Sequence, residues 1–409
     1  MLGRNRLWRS FASICIVIGL TIGGLTICGV AISCMSSGKA SAAQAFPHIV
    51  IDRASGSVLM ENRAFERWFP ASLTKLMTIY VTLKALEAGE ISNGSPVTVS
   101  KRAASEPPSK MGYSPGTKLR FDTALKVLIV KSANDIAIAI AESVAGSLEA
   151  FVDRMNTQAK NLGLTDTSFV NPNGLHDQRQ FTSARDMALL GKHLLDEFPQ
   201  YAGYFSIPAI RAGQKVEISY NLLLERFAGA DGLKTGFVCA SGYNMVASAT
   251  RNGRQLIAVV FGTNSQAERA VEAARLLLQG FERETGPAVS NYNSAKPPVP
   301  PRSQRNAMCS EAALKARDDP APGDVVINSA LLSPRHPGTP LAVSTGGIDA
   351  PPSEAVLTAA LAPKGRIPVP AKRPEYDRVD VDGVAIEGAA ALRGTLPLPK
   401  MRPKPVLPQ

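Results

Sequence analysis

Residues 243–261 read YNMVASATRNGRQLIAVVF, and the pattern in that stretch decides the fold. Two runs rich in Val, Ala and Ile, 243–250 and 256–261, flank Asn252-Gly253. Asn-Gly supplies the positive-φ positions of a tight hairpin turn, so the stretch reads as two antiparallel strands. Just after it, residues 265–284 carry apolar side chains at helical spacing. Just before it, Lys234-Thr235-Gly236 opens the strand section. Further upstream the period is helical over 72–88, 121–130, 135–145, 148–162 and 183–195. At the front, His48-Ile49-Val50-Ile51-Asp52 and Val58-Leu59-Met60 flank Ala54-Ser55-Gly56, a second hairpin. Strands at both ends with helices between them predict an α+β fold. An antiparallel β-sheet is assembled from distant parts of the chain and flanked by helices, with an inserted helical region.

Outside this core the composition changes. Of the 30 prolines, 21 lie in 287–408, and no apolar period there lasts more than a few residues. Residues 286–409 are therefore expected to be a Pro-rich, disordered tail. At the other end, Arg4, Arg6 and Arg9 precede an apolar run over 11–34 and a small-residue stretch over 36–45. That order marks 1–45 as a signal peptide, or as a signal anchor since the run is long enough to span a bilayer. Membrane contact is expected through this segment only. The net charge of +11 is spread: four charges come from 1–45, four from 286–409 and three from 46–285. With 6% aromatic residues as well, a nucleic-acid surface is excluded as a leading reading. Cys15, Cys28 and Cys34 sit in the first apolar run; Cys239 and Cys309 could pair in an exported protein, but are expected to be free thiols, because the second stands in the Pro-rich stretch with nothing to hold it near a partner. The four histidines, at 48, 176, 193 and 336, lack metal-ligand spacing, so neither metal nor cofactor is expected. Asp135 and Asp186 read as first-turn helix charges.

Chemistry is carried by three short motifs. Pro70-Ala71-Ser72-Leu73-Thr74-Lys75 puts a serine at a helix start and a lysine nearly one turn later, so both project from one face. A neutral amine can take the hydroxyl proton as the serine attacks, and burial or a second cation lowers lysine from its free value of about 10.4. The competing reading is an N-cap serine and a solvated charge. Ser132-Ala133-Asn134 lies between two helices, and Lys234-Thr235-Gly236 follows at the sheet. Ser132 can pass a proton to a leaving amine, Asn134 can hold a substrate amide, and Lys234 supplies the second cation. Gly236 lets a substrate backbone lie along a strand edge.

The order Ser-x-x-Lys, Ser-x-Asn, Lys-Thr-Gly resembles the D-alanyl-D-alanine carboxypeptidases, the low-molecular-mass penicillin-binding proteins. Segments 151–164 (FVDRMNTQAKNLGL), 167–175 (TSFVNPNGL), 182–190 (TSARDMALL) and 243–262 are similar to family segments as well. The resemblance covers about 47–284, so the catalytic domain is set at 46–285. It implies a penicilloyl-serine transferase, β-lactamase-like fold. It further implies an oxyanion hole from the backbone N–H groups of Ser72 and Phe237, and a substrate carboxylate near Thr235 and Arg269. Two features depart from the family: Val238 stands where many relatives have threonine, next to Cys239, and no second β domain or amphipathic membrane helix is recognisable in the tail.

The activity this implies is removal of the terminal D-alanine from peptidoglycan pentapeptides through an acyl-Ser72 intermediate. β-Lactam antibiotics would be covalent inhibitors. The chain would be exported, to the periplasm or the outer face of a bacterial cytoplasmic membrane. Alternatives are a DD-endopeptidase acting on cross-links, a β-lactamase, and a penicillin-binding sensor without turnover. The β-lactamase reading is weakened because no glutamate occurs between Glu149 and Glu197, where a deacylating one would fall.

Overall fold

The computed structural model describes residues 46–294, 298–317 and 319–344. Five strands form the main sheet: β1 (His48–Asp52), β2 (Val58–Asn62), β7 (Ala230–Val238), β8 (Gly242–Arg251) and β9 (Arg254–Thr263). Their order is β2-β1-β9-β8-β7, every pair antiparallel, so the first hairpin docks on the last strand of the late meander. Between β2 and β7 come β3 (Pro96–Thr98) and β4 (Lys118–Arg120), which pair, and β5 (Ala209–Ala212) and β6 (Lys215–Ile218), which pair with each other. The helices are α1 (Lys75–Glu87), α2 (Lys101–Ser105), α3 (Phe121–Val130), α4 (Asn134–Ala145), α5 (Leu148–Asn161), α6 (Ala184–Glu197) and α7 (Gln266–Phe281).

Period-two alternation sorts each strand between two cores. Ile49 and Ile51 of β1 with Ile257, Val259 and Phe261 of β9 pack against α6, in a core that α1 and α4 share. Val50 with Leu256, Ala258 and Val260 face Ala270, Ala273, Leu276 and Leu277 of α7. Both faces are covered, which is why β9 reads as an unbroken apolar run although its neighbours are antiparallel. Helix entries follow from serine caps: Ser147, Ser183 and Ser265 each accept a backbone N–H from three residues on. The expected fold is thus the observed one, with boundaries shifted by one to three residues at most helix ends.

The tail expected from residue 286 onward differs over its described part. Val58 N donates to Pro287 O at 2.8 Å and Val289 N to Gly56 O at 2.8 Å. Val289 is buried, and Arg185 donates to Val289 O and Ser290 O at 3.1 and 2.9 Å. Further on, α8 (Arg305–Cys309) and α9 (Glu311–Ala316) lie at the β7–β8 corner, and β10 (Leu341–Val343) pairs in parallel with β5. Gln304 N donates to Ala240 O at 2.9 Å, and Met308 is buried. The two thiols expected to be free are joined as a Cys239–Cys309 disulfide. Val325 and Leu332 join the α7 core. A strap of this kind needs no period: extended pieces fill gaps at isolated anchor residues. The signal segment 1–45 and the remainder of the Pro-rich stretch, 345–409, lie outside the described residues. Among the described residues no helix is long and apolar enough to cross a membrane.

Candidate active site

The nucleophile motif is not one continuous α-helix. Ala71–Thr74 is a 3₁₀ turn entered through Ala71 at φ +50°, and α1 begins at Lys75. Such strain outside glycine persists only where surroundings over-determine it. Here Asn244 Nδ2 on β8 donates to Phe69 O at 2.9 Å, and Trp68 Nε1 donates to Ser241 O at 3.0 Å. A second clamp comes from Gly174, at φ +87°, where a Cβ would stand 1.9 Å from Ala71 O. Ser132 is likewise left-handed, at φ +59°, on the three-residue bend between α3 and α4.

Lys75 is fully buried, and its Nζ lies 3.0 Å from Ser72 Oγ, 2.8 Å from Asn134 Oδ1 and 2.5 Å from Asn173 O. Asn134 cannot turn its amide round, because Nδ2 donates to Pro107 O at 2.9 Å. Two of the three neighbours are therefore pure acceptors. Burial, and then the Lys234 cation, hold the Lys75 amine well below its ordinary range. A neutral amine has two N–H groups and one lone pair; the acceptors take the first two, and the lone pair is left facing the Ser72 hydroxyl. This geometry can deprotonate the serine.

Lys234 Nζ donates to Ser132 Oγ at 2.9 Å and to Thr235 O at 3.0 Å. Burial and the nearby Arg269 charge push it down to about 7. Gly236 brings β7, the edge strand of the sheet, against Ser72: a Cβ there would lie 3.0 Å from Ser72 N. A cleft of ≈ 280 Å³ opens between these elements. Ser72, Ser132, Asn134, Thr235, Gly236, Phe237 and Arg269 line it, while Lys75 and Lys234 stand buried behind Ser72 and Ser132. Val238 lines it as well. Arg269 is buried with Nη2 on Tyr220 O at 2.9 Å, its Nε without a hydrogen-bond partner among the described residues, and burial lowers its guanidinium to about 10. Ser72, Lys75, Ser132, Asn134, Lys234, Thr235, Gly236, Phe237 and Arg269 thus converge on one place.

Sequence reasoning missed several contributors. Asn173 supplies a backbone carbonyl, which no side-chain motif announces, although Asn171-Pro172-Asn173-Gly174 is a recognisable turn. Tyr243, Gln266 and Asp319 also line the cleft. Asp135, read as a helix charge, accepts the backbone N–H groups of Met111 and Gly112 and so ties down the loop beside the cleft. Asp186 does sit in the first turn of α6, and also accepts from Thr167 Oγ1 at 2.7 Å. Among the described residues no His, Cys, Asp or Glu group is arranged to hold a metal ion.

A serine and a buried lysine at a helix start, a Ser-x-Asn bend, and Lys-Thr-Gly on the edge of an antiparallel sheet stand together on a penicilloyl-serine transferase fold. A family model described as D-alanyl-D-alanine carboxypeptidase matches residues 35–265, and the chain belongs to that family. It is 43% identical over 244 residues to D-alanyl-D-alanine carboxypeptidase DacC of Escherichia coli, covering 57% of this chain and 60% of that protein. The chain spans less than two thirds of the length of this relative and of D-alanyl-D-alanine carboxypeptidase DacF of Bacillus subtilis. Among solved structures it resembles penicillin binding protein 5 from Haemophilus influenzae, with 36% identity, a TM-score of 0.56 and coverage of 58% and 71% of the two chains. It also resembles penicillin-binding protein D2 from Listeria monocytogenes in a cefotaxime-bound form, with 28% identity, a TM-score of 0.53 and coverage of 58% and 97%.

Proposed function

We propose that this chain is an exported serine DD-carboxypeptidase that removes the terminal D-alanine from peptidoglycan pentapeptides and is acylated by β-lactams. The observation that carries the reading is the Lys75 amine, pinned by Asn134 Oδ1 and Asn173 O with its remaining site on Ser72 Oγ. In this reading the substrate backbone lies along β7, with its terminal carboxylate toward Thr235, Lys234 and Arg269. Ser72 attacks the carbonyl of the penultimate residue while Lys75 takes the hydroxyl proton. Backbone N–H groups of Ser72 and Phe237 stabilise the oxyanion, which is where fixed donors contribute most. The departing amine receives its proton through Ser132, which is bonded to Lys234. Water then hydrolyses the acyl-Ser72 bond. Export is supported by the signal-like order of residues 1–45 and by the Cys239–Cys309 disulfide, a bond that persists in oxidising compartments.

The test is release of D-alanine from a peptide ending in D-Ala-D-Ala by the purified protein, with labelling by a fluorescent penicillin in parallel. Ser72→Ala is expected to abolish both. Labelling that persists in that variant moves the nucleophile elsewhere. Lys75→Ala is expected to slow acylation by about 10²–10⁴, the usual contribution of a positioned base.

A further inference from the structure

The cleft has a wall that the three motifs do not supply. Asp319 lines the same cleft as Ser72 and Arg269, although it is 80 residues beyond Cys239 in the chain. Gln266 Nε2, in the first turn of α7, donates to Asp319 Oδ1 at 2.8 Å and to Pro320 O at 3.0 Å. Arg317 lies with its guanidinium 5.0 Å over the Phe237 ring and donates to Met308 O at 3.2 Å. The Cys239–Cys309 disulfide and the Gln304 N to Ala240 O bond then fasten the same segment to the turn that follows β7. Gly236 is beside Ser72, and Phe237, Val238 and Cys239 lead away from it toward the corner where the strap is tied.

We infer that the disulfide-held strap, through Arg317 and Asp319, closes the leaving-group end of the cleft and makes the enzyme selective for a single small terminal residue over a branched one. The inference rests on the carboxypeptidase reading and deepens it. In an exopeptidase substrate the part beyond the scissile bond is one residue ending in a carboxylate, and Arg269 is placed to meet that charge. In a cross-link, the leaving amine belongs to a residue whose chain continues, and that continuation has to pass where Gln266 holds Asp319. Exclusion of this kind discriminates through unfavourable contact with the wrong partner rather than through stronger binding of the right one. Asp319 is thus a specificity-determining residue, and the disulfide is the device that places it.

The experiment compares two substrates on the full chain: a linear peptide ending in D-Ala-D-Ala, and a branched peptide in which the same D-alanyl carbonyl is bonded to a side-chain amine of a second peptide. The quantity read is the ratio of kcat/KM for branched over linear. In Asp319→Ala, and separately in a Cys239→Ser plus Cys309→Ser variant, the ratio is expected to rise about tenfold or more, the scale at which a pocket wall discriminates. Fluorescent-penicillin labelling of each variant reports that the site is still assembled; should the cysteine variant fail to label, Asp319→Ala, with the disulfide intact, carries the test. A wild-type protein that cleaves both peptides equally well, or a ratio unchanged in Asp319→Ala, overturns the inference and leaves the carboxypeptidase reading standing. A wild-type protein that labels but cleaves neither peptide overturns both.

Discussion

Lys75 and Lys234 are two buried amines, the charge of the second lowers the first's affinity for protons, and the direction of that coupling is testable. Burial is the largest cause of the depression at Lys75, with the Lys234 charge second. Removing the second cation makes the proton on Lys75 more favourable, so its pKa rises and the neutral base form appears only at higher pH. In Lys234→Gln the acid limb of the pH profile for penicillin acylation is therefore expected to move toward alkaline pH; a limb that stays in place would uncouple the two residues. Lys234 itself, near 7, sets the opposite limb. The protonated form attracts a substrate carboxylate, so kcat/KM for an anionic peptide is expected to fall above about pH 7 through a rising KM, while a bound carboxylate keeps the proton in place and leaves kcat less affected.

At the scale of elements, the legible parts were those with a period or a cap. Phe121–Val130 and the hairpin around Asn252-Gly253 stand where their patterns put them, and Ser183 and Ser265 start α6 and α7 as serine caps do. The 3₁₀ turn at Ala71–Thr74 was not legible, since nothing in Ala71 forecasts a positive φ; the strain is imposed by Asn244 and Gly174, distant in sequence. For the same reason Ser72, Lys75, Ser132, Asn134 and Lys234 could be chosen from their motifs, whereas Asn173 O could not. Gly174 carries the prediction that belongs here. A methyl group at this position needs both a left-handed backbone and space occupied by Ala71 O, so Gly174→Ala is expected to cost about 3 kcal/mol or more, beyond the usual range for a surface change. Because the turn also presents Asn173 O to Lys75, acylation is expected to fall in the fraction that remains folded. A Gly174→Ala protein with unchanged melting temperature and acylation rate would show that the turn is free to shift.

Across the whole molecule, composition hid the strap because proline content reports the lack of a period, not the lack of contacts. Its parts do not contribute equally. Ordering a residue costs roughly 1–2 kcal/mol, so for the extended pieces beyond residue 298 this cost offsets much of what buried Met308, Val325 and Leu332 and the disulfide contribute. Residues 287–290 are different. They are few, yet they supply two carbonyl acceptors to the buried Arg185, and a hydrogen bond to a charged group is worth about 1.5–3 kcal/mol. Cutting them away leaves that guanidinium short of partners in a core it cannot leave, since its other bonds are to Gly163 O and Asp186 Oδ1. Two truncations separate these contributions. A chain ending at residue 286 is expected to melt on the order of 10 °C lower than the full chain, at roughly 2–4 °C per kcal/mol for a domain of this size. A chain ending at residue 294 keeps the Arg185 acceptors and loses the later part of the strap, so it is expected to recover most of that stability while cleaving the branched peptide as readily as Asp319→Ala does. Equal melting temperatures for the two truncations, both well below that of the full chain, would place the stabilising contacts beyond residue 294 and assign that part of the strap to stability rather than to the choice of substrate.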